Sequence, residues 1–128
     1  MISVLLVDDQ VAVRQGLRMR LGLEPDLVVI GEAEDGQTAI DLASARSPDV
    51  IVLDLEMPRM DGIATAQALR AIAPERAVII LSIHNDMDAR RRALAAGAVE
   101  YVEKDAGIER LLAAIRRGRA GASSTSQE

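Results

Sequence analysis

Five polar side chains stand where short apolar runs stop. Asp8 and Asp9 follow Val4–Val7, Asp54 follows Val50–Leu53, Ser82 follows Val78–Leu81, and Lys104 closes a weaker run around Tyr101 and Val102. Three carboxylates brought to one place repel one another unless a cation shares the site. An oxygen-only ligand set, with neither His nor Cys, favours a hard ion: Mg2+, or Mn2+ in its place. Magnesium held by one or two carboxylates keeps positions open for phosphate oxygens. A lysine opposite the ion neutralises the charge left on a phosphoryl group, and a serine hydroxyl donates a hydrogen bond to it. This is equipment for phosphoryl transfer, which depends mainly on positioning and electrostatics. The chain has no Gly-x4-Gly-Lys-Ser/Thr loop, so ATP is not the obvious donor. An aspartate can instead be the nucleophile, forming an aspartyl phosphate. Taken singly, each residue has a plainer reading: an Asp after a strand is a turn residue or helix cap, Ser82 opens a loop, and Lys104 is a solvated surface group. Their joint placement at four strand ends is what points to a site.

The elements that must position these groups follow from periodicity. The runs are continuously apolar and rich in Val, Ile and Leu, as strands buried on both faces are. Between them lie stretches with helical spacing. Thr38–Arg46 places Ala39, Ile40 and Ala43 on one face, and Gly62–Ile72 does so with Ala66 and Leu69. Ile108, Leu111, Leu112 and Ile115 fall at i, i+3, i+4 and i+7. Five strand–helix pairs in strict alternation predict a doubly wound five-stranded parallel sheet of the α/β class. In such a sheet, ligands bind outside the carboxyl ends of the strands, where all five polar groups fall. Ser47-Pro48 and Ala73-Pro74 end the second and third helices, because a residue before proline is pushed out of the α region. Residues 1–118 form one domain. From Gly118 onward the composition has no periodicity, and residues 119–128 read as a flexible tail or the start of a linker.

Composition narrows the function further. Of the 128 residues, 49% are hydrophobic and 27% charged, which excludes a disordered chain. With no cysteine, disulfides and thiolate metal sites are out. The first apolar run is too short for a membrane span and lacks the basic start of a signal peptide, so the chain reads as cytoplasmic with no membrane partner. One tyrosine, no Trp and no Phe leave no stacking platform for single-stranded nucleic acid. A net charge of −5, with the acidic excess lying before residue 86, argues against direct DNA contact by this chain.

The motifs Leu-Val-Asp8-Asp9-Gln, Asp54-Leu-Glu-Met-Pro58-Arg-Met-Asp61-Gly62, Leu81-Ser82 and Gly97-Ala98-Val-Glu-Tyr101-Val-Glu-Lys104 closely resemble the receiver domain of bacterial two-component response regulators. The resemblance runs from about Ile2 to Arg117 and implies a flavodoxin-like sheet of order 2-1-3-4-5. It implies that Asp54 accepts a phosphoryl group from the phosphohistidine of a sensor histidine kinase. It further implies that Asp9, Asp54 and the backbone carbonyl of Glu56 bind Mg2+ directly, with Asp8 helping through water. Ser82 and Lys104 would hold the phosphoryl oxygens. Ser82 and Tyr101 would form the switch, coupling the site to the face made by the fourth helix, fifth strand and last helix. A phosphorylation-promoted homodimer is a further implication. Lys-Asp-Ala at 104–106 and the helix Ile-Glu-Arg-Leu-Leu-Ala-Ala-Ile resemble the NarL/FixJ subfamily, whose members carry a LuxR-type helix-turn-helix output domain that this chain lacks. The implied function is a switch controlling transcription through such a domain.

Several positions carry separate expectations. Pro58 and Gly62 shape the loop after Asp54, with Gly62 at φ > 0. Asp61 caps the third helix rather than binding metal. Tyr101 read plainly is a half-buried strand aromatic with a wet hydroxyl. His84 is a loop bystander or, two residues past Ser82, a modulator of phosphoryl lifetime through water access. Arg90-Arg91-Arg92 form a solvated face. Asp105 follows Lys104 where many receivers have proline behind a cis bond, and a cis bond before a non-proline residue costs ~2.5–4 kcal/mol. A rival class is a Mg2+-dependent phosphatase of the haloacid-dehalogenase type, which wants an Asp where Glu56 stands. A third reading is a degenerate receiver serving as an interaction module; the five intact site residues weaken it.

Overall fold

A computed structural model describes residues 1–57, 61–84 and 86–126, with side chains through residue 120. The elements alternate: β1 (Ile2–Val7), α1 (Val11–Leu21), β2 (Leu27–Ala33), α2 (Gly36–Arg46), β3 (Val50–Asp54), α3 (Gly62–Ile72), β4 (Ala77–Ser82), α4 (Met87–Ala95), β5 (Glu100–Glu103), a 3-10 turn (Lys104–Ala106) and α5 (Ile108–Ser126). The strands pair in the order β2-β1-β3-β4-β5, all parallel. This is the doubly wound, flavodoxin-like receiver fold that the alternation and the motifs imply.

Alternate side chains of each strand enter opposite layers, which is why the runs are apolar throughout. Leu5, Val7, Ile51, Leu53, Val78, Ile80 and Tyr101 pack under α2, α3 and α4, where Ala39, Ala43, Ala66 and Ala93 allow close approach. Val4, Leu6, Val50, Val52, Ile79, Leu81 and Val102 pack against Leu21 of α1 and against Leu111, Leu112 and Ile115 of α5. The i, i+3, i+4, i+7 stripe of the last helix is thus a core stripe.

Helix ends follow their side chains. Asp35 accepts from the Thr38 N–H at 2.8 Å and Asp86 from the Ala89 N–H at 2.7 Å. Asp61 accepts from the N–H groups of Ile63 and Ala64 at 3.0 and 3.1 Å, so it caps α3 as its type suggests. α2 and α3 stop at Arg46 and Ile72, one residue before each Ser47-Pro48 and Ala73-Pro74 pair.

Three expectations need correction or completion. Gly62 does not take a positive φ, since among the described glycines only Gly97 and Gly107 do. It is small because a Cβ there would lie 2.9 Å from Leu55 Cδ1 and 3.3 Å from Leu55 Cα. Helix α5 runs from Ile108 to Ser126. Gly118 lies inside the helix at a close approach, where a Cβ would come 3.1 Å from Ala77 Cβ. Arg119 Nη1 then pairs with Asp49 Oδ2 at 2.6 Å. No proline interrupts the segment, so the helix carries on past the last periodic apolar residue. No described peptide bond is cis. Pro58 lies outside the described residues. No helix among the described residues is long and apolar enough to cross a membrane.

Candidate functional site

All five polar groups come together at the carboxyl edge of the sheet. Asp8 and Asp9 leave β1, Asp54 and Ser82 are the last residues of β3 and β4, and Lys104 opens the turn after β5. Asp8, Asp54 and Ser82 are buried, at 2%, 3% and 0% exposure. One carboxylate oxygen each from Asp8, Asp9 and Asp54 lies within 4.8 Å of the other two, close enough to share a metal ion. Asp8 Oδ2 and Asp9 Oδ1 are buried with no hydrogen-bond partner, as expected of oxygens built to face a cation. The other oxygen of Asp8 accepts from the Gln10 N–H at 2.8 Å. Burial raises the Asp8 carboxyl to about 6, and the neighbouring Asp54 charge adds to the rise against the opposing Gln10 amide and Lys104.

Lys104 Nζ is 2.8 Å from Asp54 Oδ1, and the Glu56 N–H donates to that same oxygen at 3.0 Å. Burial pulls the Lys104 ammonium down, but the Asp54 hydrogen bond and the charges of Asp54, Asp8 and Glu56 outweigh it and leave the pKa raised. The lysine is therefore charged beside Asp54.

The side chain of Glu56 enters the site as well, which the sequence reading did not foresee. Ser82 Oγ donates to Glu56 Oε2 at 2.8 Å and the Ile83 N–H donates to Oε1 at 2.6 Å. The available signal was a carboxylate two residues past Asp54 on the loop facing Ser82.

Ser82 leads outward to the aromatic. Its Oγ accepts from the His84 N–H at 3.0 Å, and the His84 carbonyl accepts from the Tyr101 hydroxyl at 2.9 Å. Tyr101 is buried, so its hydroxyl is not wet. Arg90 of the basic run stands over its ring, 5.8 Å from the centroid. His84 itself is exposed and joins this relay through its backbone.

A model of the "Response regulator receiver domain" family matches residues 4–116. The nitrate/nitrite response regulator protein NarL of Escherichia coli (strain K12) is 37% identical over 93% of this chain and 55% of its own length. The chain thus spans about half the length of that curated relative. Among solved structures, the receiver domain of the putative response regulator NarL from Mycobacterium tuberculosis matches with a TM-score of 0.86 at 34% identity, over 94% of this chain and 97% of that one. The beryllofluoride-activated NtrC4 receiver domain dimer matches at 0.85 and 29%, over 95% and 99%. Receiver domains are signalling switches rather than turnover enzymes, and they meet sensor kinases. With an intact aspartate site on the matching fold, the chain belongs to the response regulator receiver domain family and is related to its NarL/LuxR branch.

Proposed function

We propose that Asp54 accepts a phosphoryl group from the phosphohistidine of a sensor histidine kinase, and that this chain is the input switch of a transcription regulator. The observation that carries the reading is the pairing of Asp54 Oδ1 with Lys104 at 2.8 Å beside two unpartnered buried carboxylate oxygens. Asp8, Asp9, Asp54 and the Glu56 backbone carbonyl would hold Mg2+, or Mn2+. Such an ion neutralises crowded carboxylates and phosphoryl oxygens.

The chain's own residues do the rest. With Oδ1 held by Lys104 and the Glu56 N–H, Asp54 presents Oδ2 for attack on phosphorus. Lys104 keeps its charge through the transfer and neutralises phosphoryl oxygens, and Ser82 donates its hydroxyl to one of them. Donation by Ser82 bears on His84 and Tyr101 through the hydrogen bonds that join them, so the switch is a two-state element biased by new charge-assisted bonds. His84, exposed at the rim, modulates water access and the lifetime of the aspartyl phosphate. An unchanged dephosphorylation rate in His84→Ala would remove it from that role.

The NarL branch suggests that the chain works in the cytoplasm with a LuxR-type helix-turn-helix output domain. In this reading residues 1–118 are the receiver and residues 119–128 lead toward that domain, which would contact DNA. The NtrC4 dimer supports a phosphorylation-promoted homodimer. Intact-mass spectrometry after incubation with acetyl phosphate tests the central step. One Mg2+-dependent phosphoryl adduct is expected, absent in Asp54→Ala. No adduct under any condition would leave an interaction module without phosphoacceptor chemistry.

A further inference from the structure

The Glu56 carboxylate lies among the donors that a phosphoryl group on Asp54 would require. Ser82 Oγ and the Ile83 N–H each donate to one of its oxygens, at 2.8 and 2.6 Å. Lys104 Nζ stands 4.0 Å from Oε1 while bonded to Asp54 at 2.8 Å. A carboxylate and a phosphoryl group make the same demand here: anionic oxygens that accept from O–H, N–H and ammonium donors. Ser82 is fully buried and the Glu56 side chain is only 20% exposed, so water competes weakly for these bonds.

We propose that the Glu56 side chain is a resident anion in the phosphoryl cradle, a latch that phosphorylation of Asp54 must expel. The proposal rests on the reading of Asp54 as the phosphoacceptor and deepens it. During transfer from acetyl phosphate, an Asp54 oxygen forms the new bond to phosphorus. The bond from phosphorus to the acetyl oxygen breaks, and acetate leaves with the electron pair. The incoming oxygens need Ser82 Oγ, the Ile83 N–H and Lys104, and two anions cannot share that set. Glu56 must therefore swing toward solvent before or during transfer, and it competes to return. Because Ser82 Oγ also accepts from His84, and His84 from Tyr101, the latch holds the relay in one arrangement while Asp54 is unmodified.

The test uses the full chain as wild type, Glu56→Ala and Glu56→Gln, with saturating Mg2+. Two readouts are taken: the initial rate of adduct formation from acetyl phosphate, and the Ile83 amide resonance before any donor is added. Glu56→Ala should phosphorylate about tenfold faster or more, as expected from losing one charge-assisted hydrogen bond, with Glu56→Gln in between. The Ile83 amide proton should move upfield in Glu56→Ala and back downfield on phosphorylation. An unchanged or slower rate in Glu56→Ala, beside a phosphorylated wild type, overturns the latch. A faster rate with an unmoved Ile83 resonance also overturns it, because the effect would then be charge repulsion alone. A wild type that forms no adduct overturns the phosphoacceptor reading itself, a separate and visible failure.

Discussion

The Tyr101 hydroxyl donates a 2.9 Å hydrogen bond to the backbone carbonyl of His84, which joins the core face of β5 to the loop that begins at Ser82. The bond ties the buried aromatic to the segment that follows Ser82. Ser82 and Tyr101 are thus joined through the backbone of His84, whose N–H donates to Ser82 Oγ at 3.0 Å.

Removing only that hydroxyl should cost little in folding and more in coupling. Tyr101→Phe is expected to lose about 0.5–1.5 kcal/mol, and Tyr101→Ala about 3–5 kcal/mol through the cavity it leaves. Urea titration measures both. Amide shifts in α4 on phosphorylation should shrink in Tyr101→Phe; shifts as large as wild type would show that the bond carries no signal.

Metal binding should weaken as pH falls through about 6, because Asp8 takes up a proton there and its negative charge, which helps hold the ion through water, is lost. The Mg2+ dissociation constant, followed by amide shifts between pH 5 and 8, should rise steadily below pH 6. Asp8→Asn should bind more weakly and with a flatter pH profile. Without added metal the same group acts in the opposite sense on folding. Its folded pKa lies above the ordinary value, so it favours the folded chain more as pH drops from 7 toward 5.

The surface network around Arg116 should carry the reverse sign. Arg116 holds both oxygens of Asp26 and one of Glu24 at 2.8 Å, and Arg20 bonds Glu24 at 2.9 Å. These hydrogen bonds lower the carboxyls of Glu24 and Asp26 below their usual values. Their stabilisation is present at neutral pH, above the unfolded pKa, and is lost as pH falls through the depressed folded pKa. Arg116→Ala should lower Tm at pH 7, and the difference from wild type should shrink toward pH 3 and in high salt. A difference independent of pH would assign the effect to packing.

Asp49 anchors the opposite edge of the sheet. Its Oδ2 accepts from the Ser3 N–H at 2.9 Å, from Ser3 Oγ at 3.0 Å and from Arg119 at 2.6 Å. Asp49→Ala should cost about 1–3 kcal/mol, since it leaves several donors unmet. Hydrogen exchange in the last turns of α5 should rise as well. Equal protection in the variant would mean that the helix is held by its apolar stripe alone.

The strands and the site edge were legible because both rest on strong local signals. Val50–Leu53 and Val78–Leu81 are buried on both faces and admit no polar residue until the strand reaches the ligand edge. β5 was the faintest, since only Tyr101 and Val102 of its four residues are buried. The side chain of Glu56 was not legible, because nothing in spacing alone says which way a loop carboxylate turns. Gly62 was misread for a related reason: glycine serves both a turn and a close approach, and only the position of Leu55 separates them. The course of α5 past residue 118 was not legible because Gly118 and the Ala and Ser residues after it look like a linker, while Gly118 lies close to Ala77 and Arg119 pairs with Asp49.

A core assembled almost entirely from aliphatic side chains has an experimental consequence. With no Trp and no Phe in the chain, Tyr101 is its only aromatic side chain. Absorbance near 280 nm, the near-ultraviolet dichroism band and intrinsic fluorescence all arise from that single ring. The protein therefore carries a built-in optical probe where β5 meets the loop after Ser82, and stopped-flow emission can follow the aromatic on addition of acetyl phosphate without any introduced label.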